Sequence, residues 1–241
     1  MANLKEIRAR ISSVGSTMQI TSAMKMVSAA KLKRAQDAIT QMRPYAIKLR
    51  ELLVNLSSTL EGSDGGAFAQ EREVKKVLLV AITSNRGLCG AFNSNIIKKA
   101  KSLAENDYTN TDVSLLTIGK KGSEFFAKNG FTVRSSHDNL YDKLTFDNTS
   151  AIAEDIMQNF LAGEFDKVIL VYNQFKNAAT QLVQAEQFLP VETPTEEGAT
   201  IGDYIFEPSK EEIVTDLIPK SLKIQLFKGL LDSYASEHGA R

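Results

Sequence analysis

A seven-residue apolar beat runs through residues 1–60 and constrains this chain more than any other feature. Core slots fall at Leu4, Ile7, Ile11, Val14, Met18, Thr21, Lys25, Ser28, Leu32, Ala35, Ile39, Met42, Ala46, Leu49, Leu53, Leu56 and Leu60. Fourteen of these seventeen slots are apolar, and the three exceptions, Thr21, Lys25 and Ser28, are consecutive. Such a stripe is a coiled-coil seam, which needs a partner helix to leave water. At 1.5 Å per residue the helix spans roughly 85 Å, the length of a rod rather than of a domain helix.

Where the seam fails, a second stripe of Ile20, Met24 and Val27 sits one residue ahead of each polar slot, turning the apolar face by roughly 100°. Two readings are open: a stutter that a partner helix absorbs by local unwinding, or a stretch that faces a third surface. Pro44 occupies an outer position and should kink the rod or end its first section.

Charge divides the chain. Residues 1–50 hold ten Lys/Arg against Glu6 and Asp37, a net of +8, so a formally neutral chain carries −8 in the remainder. A basic rod on an acidic body predicts an acidic or polyanionic partner for the rod. Lys25, Lys31, Lys33 and Arg34 point around most of the helix circumference, whereas nucleic-acid readers gather charge on a groove-facing side. Positive charge on all sides suits a rod enclosed by partners; a solvated charged surface is the plainer alternative. No apolar run reaches membrane-spanning length, and the charged N-terminus resembles neither a secretory signal nor a presequence. The single Cys89 excludes an internal disulfide and fits a reducing compartment.

After a Gly/Ser-rich loop at residues 61–73, strand-length apolar runs alternate with helical patterns. Strands are expected at Val77–Thr83, Val113–Ile118, Phe131–Val133 and Lys167–Tyr172, and a half-exposed, antiparallel edge at Leu182–Leu189. Helices are expected near Asn93–Glu105, Ser123–Asn129, stopped by Gly130, and Thr149–Leu161. A capping box at Ser209–Glu212 opens a last helix that Pro219 interrupts or restarts. The expected class is α/β: a long N-terminal coiled-coil helix plus a Rossmann-like domain with helices on both faces of a mostly parallel sheet. Its parts are a shaft helix (1–60), a linker (61–73), the α/β domain (74–208) and a helical segment (209–241). That last segment is too short to line the whole seam, so another chain, or a continuation, is expected to complete it.

Chemistry is poorly supported. The loop Ser84–Gly90 lies between a strand and a helix, where such sheets take ligands, but matches neither dinucleotide-binding nor P-loop spacing. Cys89 is best read as a buried structural thiol, and His137 and His238, without metal spacing, as surface residues. No catalytic, cofactor-binding or metal-binding residues are expected.

With the rod and loop together, the chain resembles the γ-subunit family of F-type ATP synthases. The resemblance rests on Leu4–Arg8, on the helix segment Gln19–Leu32, on Ser84-Asn-Arg-Gly-Leu-Cys-Gly90, where Asn85 replaces the usual Asp, and on Ser233–His238. It covers essentially the whole chain. It implies a non-catalytic rotor shaft whose first helix enters the α3β3 hexamer as half of an antiparallel coiled coil. The body would then meet the epsilon subunit and the ring of c subunits at the cytoplasmic face of a bacterial inner membrane, without spanning it. Turning this shaft would couple proton flow to ATP synthesis or hydrolysis.

The resemblance also makes the Met24–Lys25 zone a contact surface with an acidic loop of β. Candidate hexamer contacts are Ile20, Met24, Lys25, Val27, Lys31, Lys33, Arg34 and Arg86; candidate seam residues are Leu4, Ile7, Ile11, Val14, Met18, Leu32, Ala35, Ile39 and Met42. In the family a second long shaft helix follows the segment matched by Ser233–His238, so the resemblance implies either a truncated chain, the favoured reading, or a divergent subunit lacking that helix, with an exposed seam prone to self-association. The competing functions are a basic coiled-coil nucleic-acid-binding or scaffold protein, and a small nucleotide-using enzyme built on the α/β body.

Overall fold

In the computed structural model, which describes residues 3–56, 67–191 and 210–241, the rod is one helix, α1 (Leu4–Leu56). It runs through Pro44 without ending there. The proline is exposed on the outer face, and so is Thr40, whose carbonyl loses its helical donor and is left to water. The side chains of seam slots Leu53 and Leu56 lie outside what is described, as do Leu60, the glycines Gly62, Gly65 and Gly66 and the cap at Ser209.

The body is a five-stranded sheet of β1 (Lys76–Ile82), β2 (Asp112–Ile118), β3 (Thr132–Ser136), β4 (Lys167–Phe175) and β5 (Gln181–Leu189), ordered β3-β2-β1-β4-β5. All pairings are parallel except β4–β5, the expected antiparallel edge. A tight hairpin closes that edge, because Asn177 Oδ1 accepts from the backbone N–H groups of Ala179 and Thr180 at 2.9 and 2.7 Å.

Helices α2 (Phe92–Ser102), continued by one π turn at Leu103–Asp107, and α3 (Lys120–Lys128) cover one face. Helices α4 (Phe146–Leu161) and α5 (Lys210–Ala240) cover the other. β1 alternates between two cores: Val77, Leu79 and Ala81 pack with Ile96, Ala100 and Phe126, and Leu78, Val80 and Ile82 with Ile156, Leu222 and Leu226. Burial on both faces explains why the strand reads as an unbroken apolar run. Gly130 stops α3 as expected: its φ of 78° turns the chain so that Phe131 N–H reaches Phe126 O at 3.1 Å. Thr145 caps α4 by accepting from Asn148 N–H.

The seam expectation needs correction. Its partner over the second half of α1 is this chain's own α5, which passes through Pro219 unbroken and packs along α1. Ala35 and Ile39 close against Leu231, Ala235 and Phe175, flanked by Leu32, Met42, Phe227 and Tyr234. The change is abrupt. Leu4, Ile11 and Met18 are 72%, 67% and 67% exposed, whereas Ala35 and Ile39 are each 4% exposed. Ser28 is the first buried slot along α1.

The two halves of one seam should therefore respond differently to the same truncation. Ile39→Ala should lower stability by about 2–4 kcal/mol, because it opens a cavity between α1 and α5. Ile11→Ala should stay within about 0.5 kcal/mol. Thermal or urea unfolding of the isolated chain separates the two.

Candidate functional site: the joint between body and shaft

α5 reaches the carboxyl ends of the central strands with a run of polar residues where its neighbours are apolar. Asp232, Ser233, Ser236, Glu237 and His238 are all buried, between Leu230, Leu231 and Ala235. Ser233 Oγ donates to Ile82 O at 3.4 Å, at the end of β1, and Ser236 Oγ donates to Asn173 O at 3.0 Å, on β4. Asn173 in turn donates to Phe92 O at 3.1 Å, tying the start of α2 to the same place. Gly239 passes the β4–β5 turn so closely that a Cβ there would lie 3.4 Å from the Ala178 backbone.

The loop Ser84–Gly90 closes the other side. Ser84 N–H donates to Asn93 Oδ1 at 2.9 Å, and Ser84 Oγ donates to Arg86 O at 2.7 Å. Cys89 is buried, as expected, with its sulfur accepting from Asn93 Nδ2 at 3.2 Å. Asn85 uses both ends of its amide. Its Nδ2 donates to Asp138 O at 2.6 Å and its Oδ1 accepts from Lys120 N–H at 3.0 Å, at the start of α3. A carboxylate at this position could make only the second bond. Behind the loop, Gly119, at φ 97°, lies against β1's end; a Cβ there would sit 2.2 Å from Thr83 O, so only glycine fits.

Arg241 joins the two sides. Its guanidinium donates to Gly87 O at 2.8 Å and pairs with Glu237 one turn back. Burial pushes the Glu237 carboxyl up, and Arg241, Lys31 and Arg86 oppose that shift. One carboxylate thus faces cations from α5, from the rod and from the loop. Beside it, Tyr234 stacks on Tyr141 at 6.0 Å and meets the His238 ring edge-on at 4.5 Å.

His238 corrects the expectation of a surface histidine. It is buried, and that burial, with Lys31 and Arg241 nearby, pushes its pKa down to about 4. The other histidine, His137, is half-buried and lines an open cleft of about 450 Å³ together with Asp138, Asn148, Ile152 and Asp155.

Of the residues singled out in the sequence, Lys31 and Arg86 come together around Glu237, and Arg34 lies near Tyr234. Lys33 pairs with Asp37 at 2.9 Å on the open surface, an exposed bridge of little energetic weight. Ile20, Lys25 and Val27 stand exposed and Met24 half-buried. Ser236 and Glu237 lie in the segment that carries the family resemblance but were given no role there, and Arg241 was not singled out. Their signal was polar residues continuing the apolar face of Leu222, Leu226 and Leu230 at helical spacing. Leu88 was given no role either. It is 82% exposed at φ 59°, a strained conformation for a leucine, and the glycines beside it were the available sign. Among the described residues no cluster of His, Cys, Asp or Glu is placed to hold a metal ion.

The ATP synthase family model matches residues 3–241. An ATP synthase gamma chain from Flavobacterium johnsoniae is 66% identical across all of this chain and 84% of its own length. The chain belongs to the ATP synthase gamma family. A gamma chain from Flavobacterium psychrophilum is 63% identical and one from a Geobacter species 46%, each matched over 84% of its length. Among solved structures, the central stalk and c-ring of the Tetrahymena thermophila mitochondrial ATP synthase contains a chain with a TM-score of 0.71 and 29% identity, covering 92% of this chain and 95% of that one. As a gamma-family member the chain is a non-catalytic, central-stalk subunit of the rotor, and the buried joint is where its stalk helix meets its body. No helix among the described residues is long and apolar enough to cross a membrane.

The buried imidazole has a pH consequence. Between its ordinary 6.5 and about 4, the unfolded state binds the His238 proton and the folded state does not, so acidification through that window removes stability. The raised Glu237 carboxyl contributes the opposite slope just above its ordinary 4.5. His238→Gln should flatten the loss between pH 6.5 and 4 in urea titrations, while an unchanged slope would place the titration elsewhere.

Proposed function

We propose that the exposed half of α1, Leu4–Val27, is the part of the shaft that enters an α3β3 hexamer, coupling rotation to the states of the catalytic β subunits. The observation that carries this is the contrast along one heptad seam: Leu4, Ile7, Ile11, Val14 and Met18 are exposed, whereas Ala35, Ile39 and Leu49 are buried. An apolar stripe of this length in water needs an occupant, and the net positive charge around it selects an acidic lining. Ile20, Met24, Lys25, Val27, Lys31, Lys33 and Arg34 are the proposed hexamer contacts on the rod. Arg86 joins them from the loop, where the strained, exposed Leu88 offers an apolar contact at the same level.

Leu4, Ile7, Ile11, Val14 and Met18 are proposed as the free seam, and Leu32, Ala35, Ile39 and Met42 as its continuation onto α5. The division into a shaft (1–60), a linker (61–73), an α/β domain (74–208) and a helical segment (209–241) belongs to the same proposal. The body at the other end would meet the epsilon subunit and the c-ring. Proton-driven turning of that ring would reach the β subunits through α1, and ATP hydrolysis would drive it backwards. The bacterial relatives support a peripheral position at the cytoplasmic face of the inner membrane. Neither a cofactor nor nucleic acid has a role in this reading.

Native mass spectrometry of the chain mixed with purified α and β subunits tests it, with one copy per α3β3 as the expected result. Leu88→Ser and Lys25→Glu should weaken that assembly while shifting the isolated chain's stability by no more than about 0.5 kcal/mol. No assembly by this chain or by a C-terminally extended form would overturn the proposal.

A further inference from the structure

The sheet order reverses between β1 and β4. Outside the carboxyl ends of two such strands lies the crevice where open α/β sheets take ligands. Here α5 fills that crevice from within the chain. Its contacts there are directional. Ser233 and Ser236 donate to carbonyls of β1 and β4, and Arg241 donates to the Gly87 carbonyl of the loop while pairing with Glu237. Apolar side chains could seal the same space. Buried polar groups cost stability unless satisfied, and once satisfied they specify one arrangement. The α1–α5 seam differs in kind. Ala35, Ile39, Leu231 and Ala235 hold the helices together by apolar burial, which is non-directional and resists separation more than rolling or sliding.

We propose that Ser236, Glu237 and Arg241 are positioning residues that lock the angle and height of α5, and with it the rod, relative to the sheet. Torque between body and shaft then passes through the switch-point crevice rather than through the seam. Glu237 is the centre of the lock, because it faces Arg241 on α5, Lys31 on the rod and Arg86 on the loop at once. Gly239 lets α5 seat closely against the β4–β5 turn. This inference rests on the rotor reading of the chain.

The test is made on the assembled ATP synthase in vesicles, with the substitutions in its gamma subunit. The readouts are the angular fluctuation of a probe on the body while the hexamer is held fixed, and the protons moved per ATP hydrolysed. Ser236→Ala with Arg241→Ala removes two directional bonds, and should widen the fluctuation by about twofold and lower the proton-to-ATP ratio at an unchanged amount of bound subunit. Arg241→Lys keeps a cation for Glu237 but loses the planar fork that serves both acceptors, and should fall between. If the double substitution blocks assembly, Ser236→Ala and Arg241→Lys singly carry the same readouts. Wild-type width and wild-type ratio in variants that assemble would overturn the lock. Failure of the unmodified subunit to assemble would instead contradict the rotor reading.

Discussion

The packing of α5 along the second half of α1 is the interaction on which the rest depends. α5 lies on the sheet with one face, through Leu222, Leu226 and Leu230, and on the rod with another, through Leu231 and Ala235. Without it, a helix of 53 residues with a long apolar stripe would keep little of the cluster at Ala35 and Ile39 that ties it to the body. With it, the second half of the rod is fixed to the body through Ala35 and Ile39, while Leu4, Ile11 and Met18 of the first half are exposed. A long helix is stable in water only where tertiary contacts support it, so the open half depends on what it meets.

The body is built like a ligand-binding α/β sheet and used differently. The strand order, the glycine-rich loop after β1 and the helix that follows it are all found where enzymes of this architecture hold substrates. Here a helix of the same chain occupies the crevice, and hydrogen bonds that could have oriented a ligand orient a shaft instead. Fold and function separate at this point. A sheet with a filled switch point is a mount. Its buried polar residues hold that mount in register, at the cost of keeping Glu237 and His238 away from water.

Much of this was legible in the residues. Apolar runs such as Val77–Thr83 and Lys167–Tyr172 marked the central strands because burial on both faces leaves no room for alternation. Leu182–Leu189 marked the edge because one side of it meets water. The rod was legible from its heptads, yet its partner was not. The length of α5 excluded a full seam, but the spacing of Leu222, Leu226 and Leu230 did not reveal that a second face, at Leu231 and Ala235, would turn toward α1. His238 misled for a related reason: one histidine on a helix carries no local sign of burial, which here depends on how α5 packs against the β4–β5 turn and Tyr234. Neither the exposed Pro44 nor the half-buried Pro219 ends its helix, because a proline in a supported helix loses one bond without breaking the helix. The Glu237–Arg241–Gly87 contact joins residues some 150 positions apart in the chain, a closeness that no spacing rule predicts.

Hydrogen exchange along α1, in the isolated chain and then bound to an α3β3 hexamer, tests the central claim most directly. The backbone of a helix shielded by a partner exchanges slowly, while an unsupported stretch opens locally and exchanges fast. In the isolated chain, strong protection is expected over 32–49 and little over 4–24, with the boundary near Ser28. Binding should then protect 4–27 and leave 32–49 nearly unchanged. Uniform protection of α1 in the isolated chain, or a bound state in which 4–27 still exchanges freely, would contradict the division of the rod into a covered root and a free shaft.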